Sequence, residues 1–77
     1  MAIKSLAELK PREKGRVVKV GGKGSGRRRI IDMGLVSGAE IEMERVAPLG
    51  DPIEVKVKGY HLSLRKEDAA NIYVEAD

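Results

Sequence analysis

The chain has 77 residues, 42% of them hydrophobic, with nine Gly, no Cys, Trp or Phe, and a formal charge of +3 at pH 7. A chain this short is expected to form one domain, residues 1–77, and to bury only about 60% of its unfolded surface. The missing Cys excludes disulfides and thiolate metal sites and fits a reducing cytosol, no apolar run approaches the ~20 residues that span a bilayer, and Met-Ala-Ile-Lys-Ser-Leu lacks the apolar core of a secretion signal.

Charge is uneven along the chain. Residues 1–29 hold ten Lys or Arg against two acids, and residues 30–77 hold five against ten. A basic front and an acidic back suit a molecule that orients on an anionic surface, provided folding does not mix the two halves.

Ser5-Leu6-Ala7-Glu8 fits a capping box, and Pro11 limits the helix it opens to about one turn. Arg16 to Val20 is a short β-branched strand. Gly21 to Gly26 is too rich in glycine for regular structure and predicts a loop. From Arg27 to Met33, Ile30 and Met33 stand three apart and Arg28 and Asp32 four apart, which predicts a helix with an apolar side and an ion pair. Gly34 is placed to cap it in the left-handed conformation, with Leu35 packing back.

Glu40 to Glu44 and Ile53 to Lys58 both alternate strictly, which predicts a hairpin around a Pro48–Pro52 loop. If Ala47 faces Ile53, then Met43 faces Val57 inside, while Glu44 faces Lys56 and Glu42 faces Lys58 outside. That register puts Arg45 inside beside Val55, a conflict that a bulge would relieve. Tyr60, Leu62 and Leu64 alternate inward on a third strand. Lys66 to Asn71 predicts a helical turn, and Ile72 to Val74 a last strand. The fold class is mainly β: a small barrel of about five short strands with one-turn helices at the connections, which buries the inward Ile, Val and Leu and hides sheet edges.

No catalytic set emerges. His61 is the only histidine and alternates outward, the acids match no metal-loop spacing, and no acid pair sits in an apolar context. The chain is therefore read as a non-enzyme with no cofactor, no metal site and no small-molecule substrate. Gly21 to Gly26 fails as a phosphate loop, because Lys23 is followed by Gly24 rather than Ser or Thr. Two tyrosines are too few for a stacking platform, so nucleic acid is not the expected partner, although phosphate-only contact survives. What stands out is charge: Arg27, Arg28 and Arg29 at a predicted helix start, where the dipole disfavours cations, with Lys23 just before them. Leu49, at the tip of the hairpin loop, has no inward place. These five residues, Lys23, Arg27, Arg28, Arg29 and Leu49, are the candidate partner-binding set.

Three ordered motifs carry a resemblance. Arg-Arg-Ile-Ile-Asp-Met-Gly-Leu-Val-Ser-Gly at 28–38, Ala-Pro-Leu-Gly-Asp-Pro-Ile at 47–53 and Gly-Tyr-His-Leu-Ser-Leu-Arg at 59–65 closely resemble the FeoA family, and the likeness extends from Leu6 to Ile72. Ser37 stands where a Pro is common, and the triple Arg is heavier than usual. The resemblance implies an SH3-like barrel and a cytoplasmic accessory or regulatory role in ferrous iron transport. The implied partner is FeoB, a membrane transporter with a cytosolic G domain, and contact with it would recruit the chain to the inner face of the membrane. Transition-metal-ion binding and an oligomer are further associations that the residues themselves leave open. The competing reading is a nucleic-acid-binding barrel of the ribosomal or transcription-factor kind.

Overall fold

A computed structural model describes residues 2–76. In chain order the elements are β1 (Ala2–Ser5), a 3-10 turn (Leu6–Glu8), β2 (Lys14–Val20), α1 (Gly24–Asp32), β3 (Glu40–Val46), β4 (Ile53–Val57), β5 (Tyr60–Leu64), α2 (Lys66–Ala69) and β6 (Ile72–Ala76). The strands form one antiparallel sheet in the order β1-β6-β2-β3-β4-β5. Its inner face closes over a core that includes Leu6, Val17, Leu35, Met43, Ile53, Val55, Val57, Ile72 and Val74, all less than 2% exposed.

The count is six strands rather than five. β1 has no signature along the chain, because Ala-Ile-Lys-Ser has no alternation of its own and Ile3 stays 64% exposed. What makes it a strand is its ladder with β6, Ala2 opposite Ala76 through Ser5 opposite Tyr73. The predicted turn after it is present, and the Ser5 N–H donates to Glu8 Oε1 at 2.9 Å.

The hairpin keeps its inward residues but not its expected register. Ile41 faces Val57, Glu42 faces Lys56 and Met43 faces Val55, then a bulge shifts the pairing so that Arg45 faces Glu54 and Val46 faces Ile53. Two one-residue corrections add up. The loop takes in Ala47, whose N–H donates to Pro52 O at 3.1 Å and whose carbonyl accepts from Gly50 N–H at 2.7 Å. The bulge then adds Glu44. An even total slip preserves which side chains face inward. It also dissolves the expected Glu44–Lys56 and Glu42–Lys58 pairs. Arg45 is freed to the outside, where its Nε meets Glu54 Oε2 at 2.7 Å, and Glu44 meets His61 Nδ1 at 2.5 Å.

β4 turns into β5 through Lys58 and Gly59, both at positive φ (51° and 87°), the type I′ pattern whose twist suits a two-residue hairpin. Tyr60 lies on the inward face, opposite the buried Val57, but at the end of the sheet, where it stays 44% exposed. It starts β5 beside the end of α1, and its hydroxyl donates to Met33 O at 2.9 Å, the partner a half-buried phenol needs. Leu62 is half-buried and Leu64 is buried, as expected. Asn71 supports α2 through its side chain, with Nδ2 donating to Glu67 O at 3.2 Å.

α1 begins at Gly24, three residues before the sequence predicts, so the glycine-rich loop shrinks to Gly21–Lys23. Its C-terminal end is as expected. Gly34 N–H donates to Ile31 O (2.9 Å) and Leu35 N–H to Ile30 O (3.2 Å), with Gly34 at φ +95°, a Schellman closure. Leu35 and Ile30, both buried, supply the hydrophobic contact that goes with it.

Candidate docking surface

α1 is held on two sides, and the two attachments sort the arginines. Arg27 Nε donates to Val20 O at 3.2 Å, which ties the second turn of the helix to the end of β2. Arg29 reaches the other way, its guanidinium 3.0 Å from Asp68 Oδ2 on α2. Arg28 lies between them, exposed, and does not pair with Asp32. That pair would have the cation on the N-terminal side, the weaker order for an i,i+4 pair.

The sequence-predicted set is therefore divided. Arg27 and Ile31 stand four apart and share one face of α1, while Lys23 precedes the helix as its extended N-cap. Arg29 serves as a rivet between α1 and α2. The helix-start conflict also softens: with the N-cap at Lys23, Arg27 is the fourth helical residue, beyond the first turn where the dipole acts most strongly.

Leu49 is placed as expected and is 96% exposed. Its loop is anchored instead to α2, where Lys66 N–H donates to Asp51 Oδ1 at 3.0 Å. Among the described residues no hydrogen bond or ion pair joins the Leu49 loop to α1.

The face of α1 carrying Arg27 overlooks a shallow groove of about 320 Å³, lined by Lys19, Val20, Arg27, Ile31, Val36 and Ser37. Sequence reasoning named only Arg27 of these. Lys19 and Val20 end β2, which carries a bulge opposite β6: Val17 faces Val74, and the next pairs are Lys19–Tyr73 and Val20–Ile72. The bulge leaves both Val18 and Lys19 exposed. Val36 and Ser37 follow the helix cap and reach the groove only because Leu35 is drawn into the core.

A larger depression of about 870 Å³ crosses the outer sheet face. Its charges alternate by strand, with Lys14 and Arg16 on β2, Glu40 and Glu42 on β3, and Lys56 and Lys58 flanking them. Opposite signs at such spacing cancel beyond a short range. The lining of the smaller groove holds two cations, Lys19 and Arg27, and no acid.

The Glu13 carboxyl is held below the usual range. The cause is its contact with Lys4 Nζ at 2.8 Å, followed by the Lys10 N–H that donates to it at 2.9 Å. That carboxylate ties β1 and the following turn to the start of β2, which is structural work. Among the described residues no three His, Cys, Asp or Glu side chains form a metal-ligating group, and no helix is long and apolar enough to cross a membrane.

Comparison with known proteins assigns the lineage. The FeoA domain model matches residues 4–76. An Fe(2+) transport protein A/Fe(2+) transporter FeoB fusion protein of Porphyromonas gingivalis is 44% identical over 70 residues, 91% of this chain and 8% of that protein. The solution structure of a FeoA-like protein from Clostridium acetobutylicum superposes with a TM-score of 0.89 at 42% identity, covering 99% of this chain and 88% of that one. The crystal structure of Stenotrophomonas maltophilia FeoA complexed with zinc, described as an SH3-domain protein, gives 0.80 at 28% identity over 92% of this chain and 88% of that one. The six-stranded sheet is thus an SH3-like barrel. With its whole fold and nearly all its length accounted for, the chain belongs to the FeoA family, which is associated with ferrous iron transport.

Proposed function

We propose that this chain is an accessory of ferrous iron uptake that acts by touching the cytosolic part of a FeoB-type transporter. The observation that carries the proposal is the P. gingivalis fusion, in which an FeoA stretch and the transporter share one polypeptide. Covalent linkage holds two modules at millimolar effective concentration with short flexible linkers, and it suits modules that work in contact. The chain spans 8% of that relative, so transport itself lies in the remainder. In this role the protein acts in the cytoplasm, at the inner face of the membrane, and catalyses nothing itself.

Titration of the chain against the isolated cytosolic domain of the transporter, followed by calorimetry, tests the proposal. Saturable one-to-one binding is the expected result. No heat and no co-migration at high micromolar concentrations of both proteins would overturn contact with that domain.

A further inference from the structure

We propose that the groove between the end of β2, α1 and the Val36–Ser37 turn seats an acidic protein segment bearing apolar side chains. Its floor is Val20, Ile31 and Val36, and its rim carries Lys19 and Arg27. Close by in the chain are two more exposed cations, Lys23 at the N-cap of α1 and Arg28 next to Arg27. None of these four cations takes part in an ion pair among the described residues. Arg27 spends one N–H on Val20 O and keeps the other donors of its guanidinium for a ligand.

Charge and floor together select the ligand class. Two unpaired cations on the rim and no acid in the lining attract an anion, and Arg offers planar, two-pronged donation that matches a carboxylate. The floor rules against a purely phosphate ligand. Val36 is 37% exposed and Ile31 half-buried, and a nucleic-acid backbone would leave both facing water. An acidic peptide carrying Leu, Ile or Val covers them and pairs the rim as well.

A second copy cannot supply that segment from its most acidic stretch. Glu40-Ile41-Glu42-Met43-Glu44 has the right composition, but Ile41 and Met43 are buried in the core. Only its glutamates are available to a neighbour.

Naming the transporter as the owner of the segment rests on the function proposed above; the seat itself does not. The test is amide chemical-shift mapping on the whole 15N-labelled chain. The probes are a short synthetic peptide of glutamate and leucine, the same peptide with serine for leucine, the same with lysine for glutamate, and a short DNA duplex. The glutamate–leucine peptide is expected to shift Lys19, Val20, Arg27, Ile31 and Val36. Lys19→Glu with Arg27→Glu is expected to weaken it roughly tenfold or more, and Val36→Ser to weaken it while amide dispersion shows an intact fold. No groove shifts at millimolar peptide, shifts centred elsewhere, equal binding of the serine peptide, or equal binding of the duplex would each overturn the proposal. The same variants separate it from the transporter reading. If the transporter's cytosolic domain binds wild type and the Lys19→Glu/Arg27→Glu variant equally, the groove inference falls and transporter contact stands. If the peptide seats in the groove and the domain does not bind at all, the reverse holds.

Discussion

Gly34→Ala tests how α1, and with it the groove, is fixed to the barrel. Two costs meet at this position. The backbone sits at φ +95°, where an L-residue with a Cβ is strained by roughly 1–2 kcal/mol. An added Cβ would also lie 2.9 Å from the Tyr60 hydroxyl, which is too close. That hydroxyl is the far end of a rotatable side chain, so it moves away and gives up its bond to Met33 O, at about 0.5–1.5 kcal/mol. The two terms make about 1.5–3.5 kcal/mol, which for a domain of this size lowers Tm by roughly 6–28 °C. Tyr60→Phe alone loses only the hydrogen bond. In the Gly34→Ala background that bond is already broken and the clash is relieved, so Tyr60→Phe should there cost nothing further. The assay is urea and thermal unfolding of all four proteins, followed by circular dichroism and analysed as a double-mutant cycle. If Tyr60→Phe costs as much in the Gly34→Ala background as in the wild type, the two residues do not act on each other and the account of this joint is wrong.

Two other glycines should respond in opposite directions. A Cβ at Gly15 would lie 2.9 Å from the backbone oxygen of Glu75, where neither strand can yield alone, so Gly15→Ala should destabilise by about 1–3 kcal/mol in the same unfolding assay. Gly26, in the first turn of α1, has ordinary φ and nothing within 4 Å of an added Cβ, so Gly26→Ala should stabilise by about 0.4–1 kcal/mol. Glu13 should titrate below the ordinary glutamate value of about 4.3 when followed by NMR. Because its folded pKa is depressed, the stability it adds is present above the unfolded pKa and is lost as pH falls through the folded one. Glu13→Gln should therefore flatten the pH dependence of unfolding in that acid window, and an unchanged slope would remove Glu13 from the acid response.

Which parts of this protein were legible along the chain depended on how local their cause is. Side-chain alternation marked Ile41, Met43, Ile53, Val55 and Val57 as core whatever their partners, because facing follows from the two-residue period of a strand alone. The Gly34–Leu35 closure of α1 was equally legible, since it needs only one left-handed glycine and the two turns before it. The triple arginine announced a charged corner. What the corner consists of was decided elsewhere. Arg29 is taken by Asp68, 39 residues away, and Arg27 by the end of β2, while Lys19 and Val36 join the groove through a strand bulge and a helix cap. β1 exists because β6 is there to pair with it, and Tyr60, inward but at the rim, meets the Met33 carbonyl with its hydroxyl. The hairpin register moved by two residues because the loop and the bulge each absorbed one, and an even slip leaves the apolar pattern satisfied. Periodicity along one segment determines facing, but it is blind to such a slip and to any partner far along the chain. The barrel's closure chose among the arrangements that periodicity left equal.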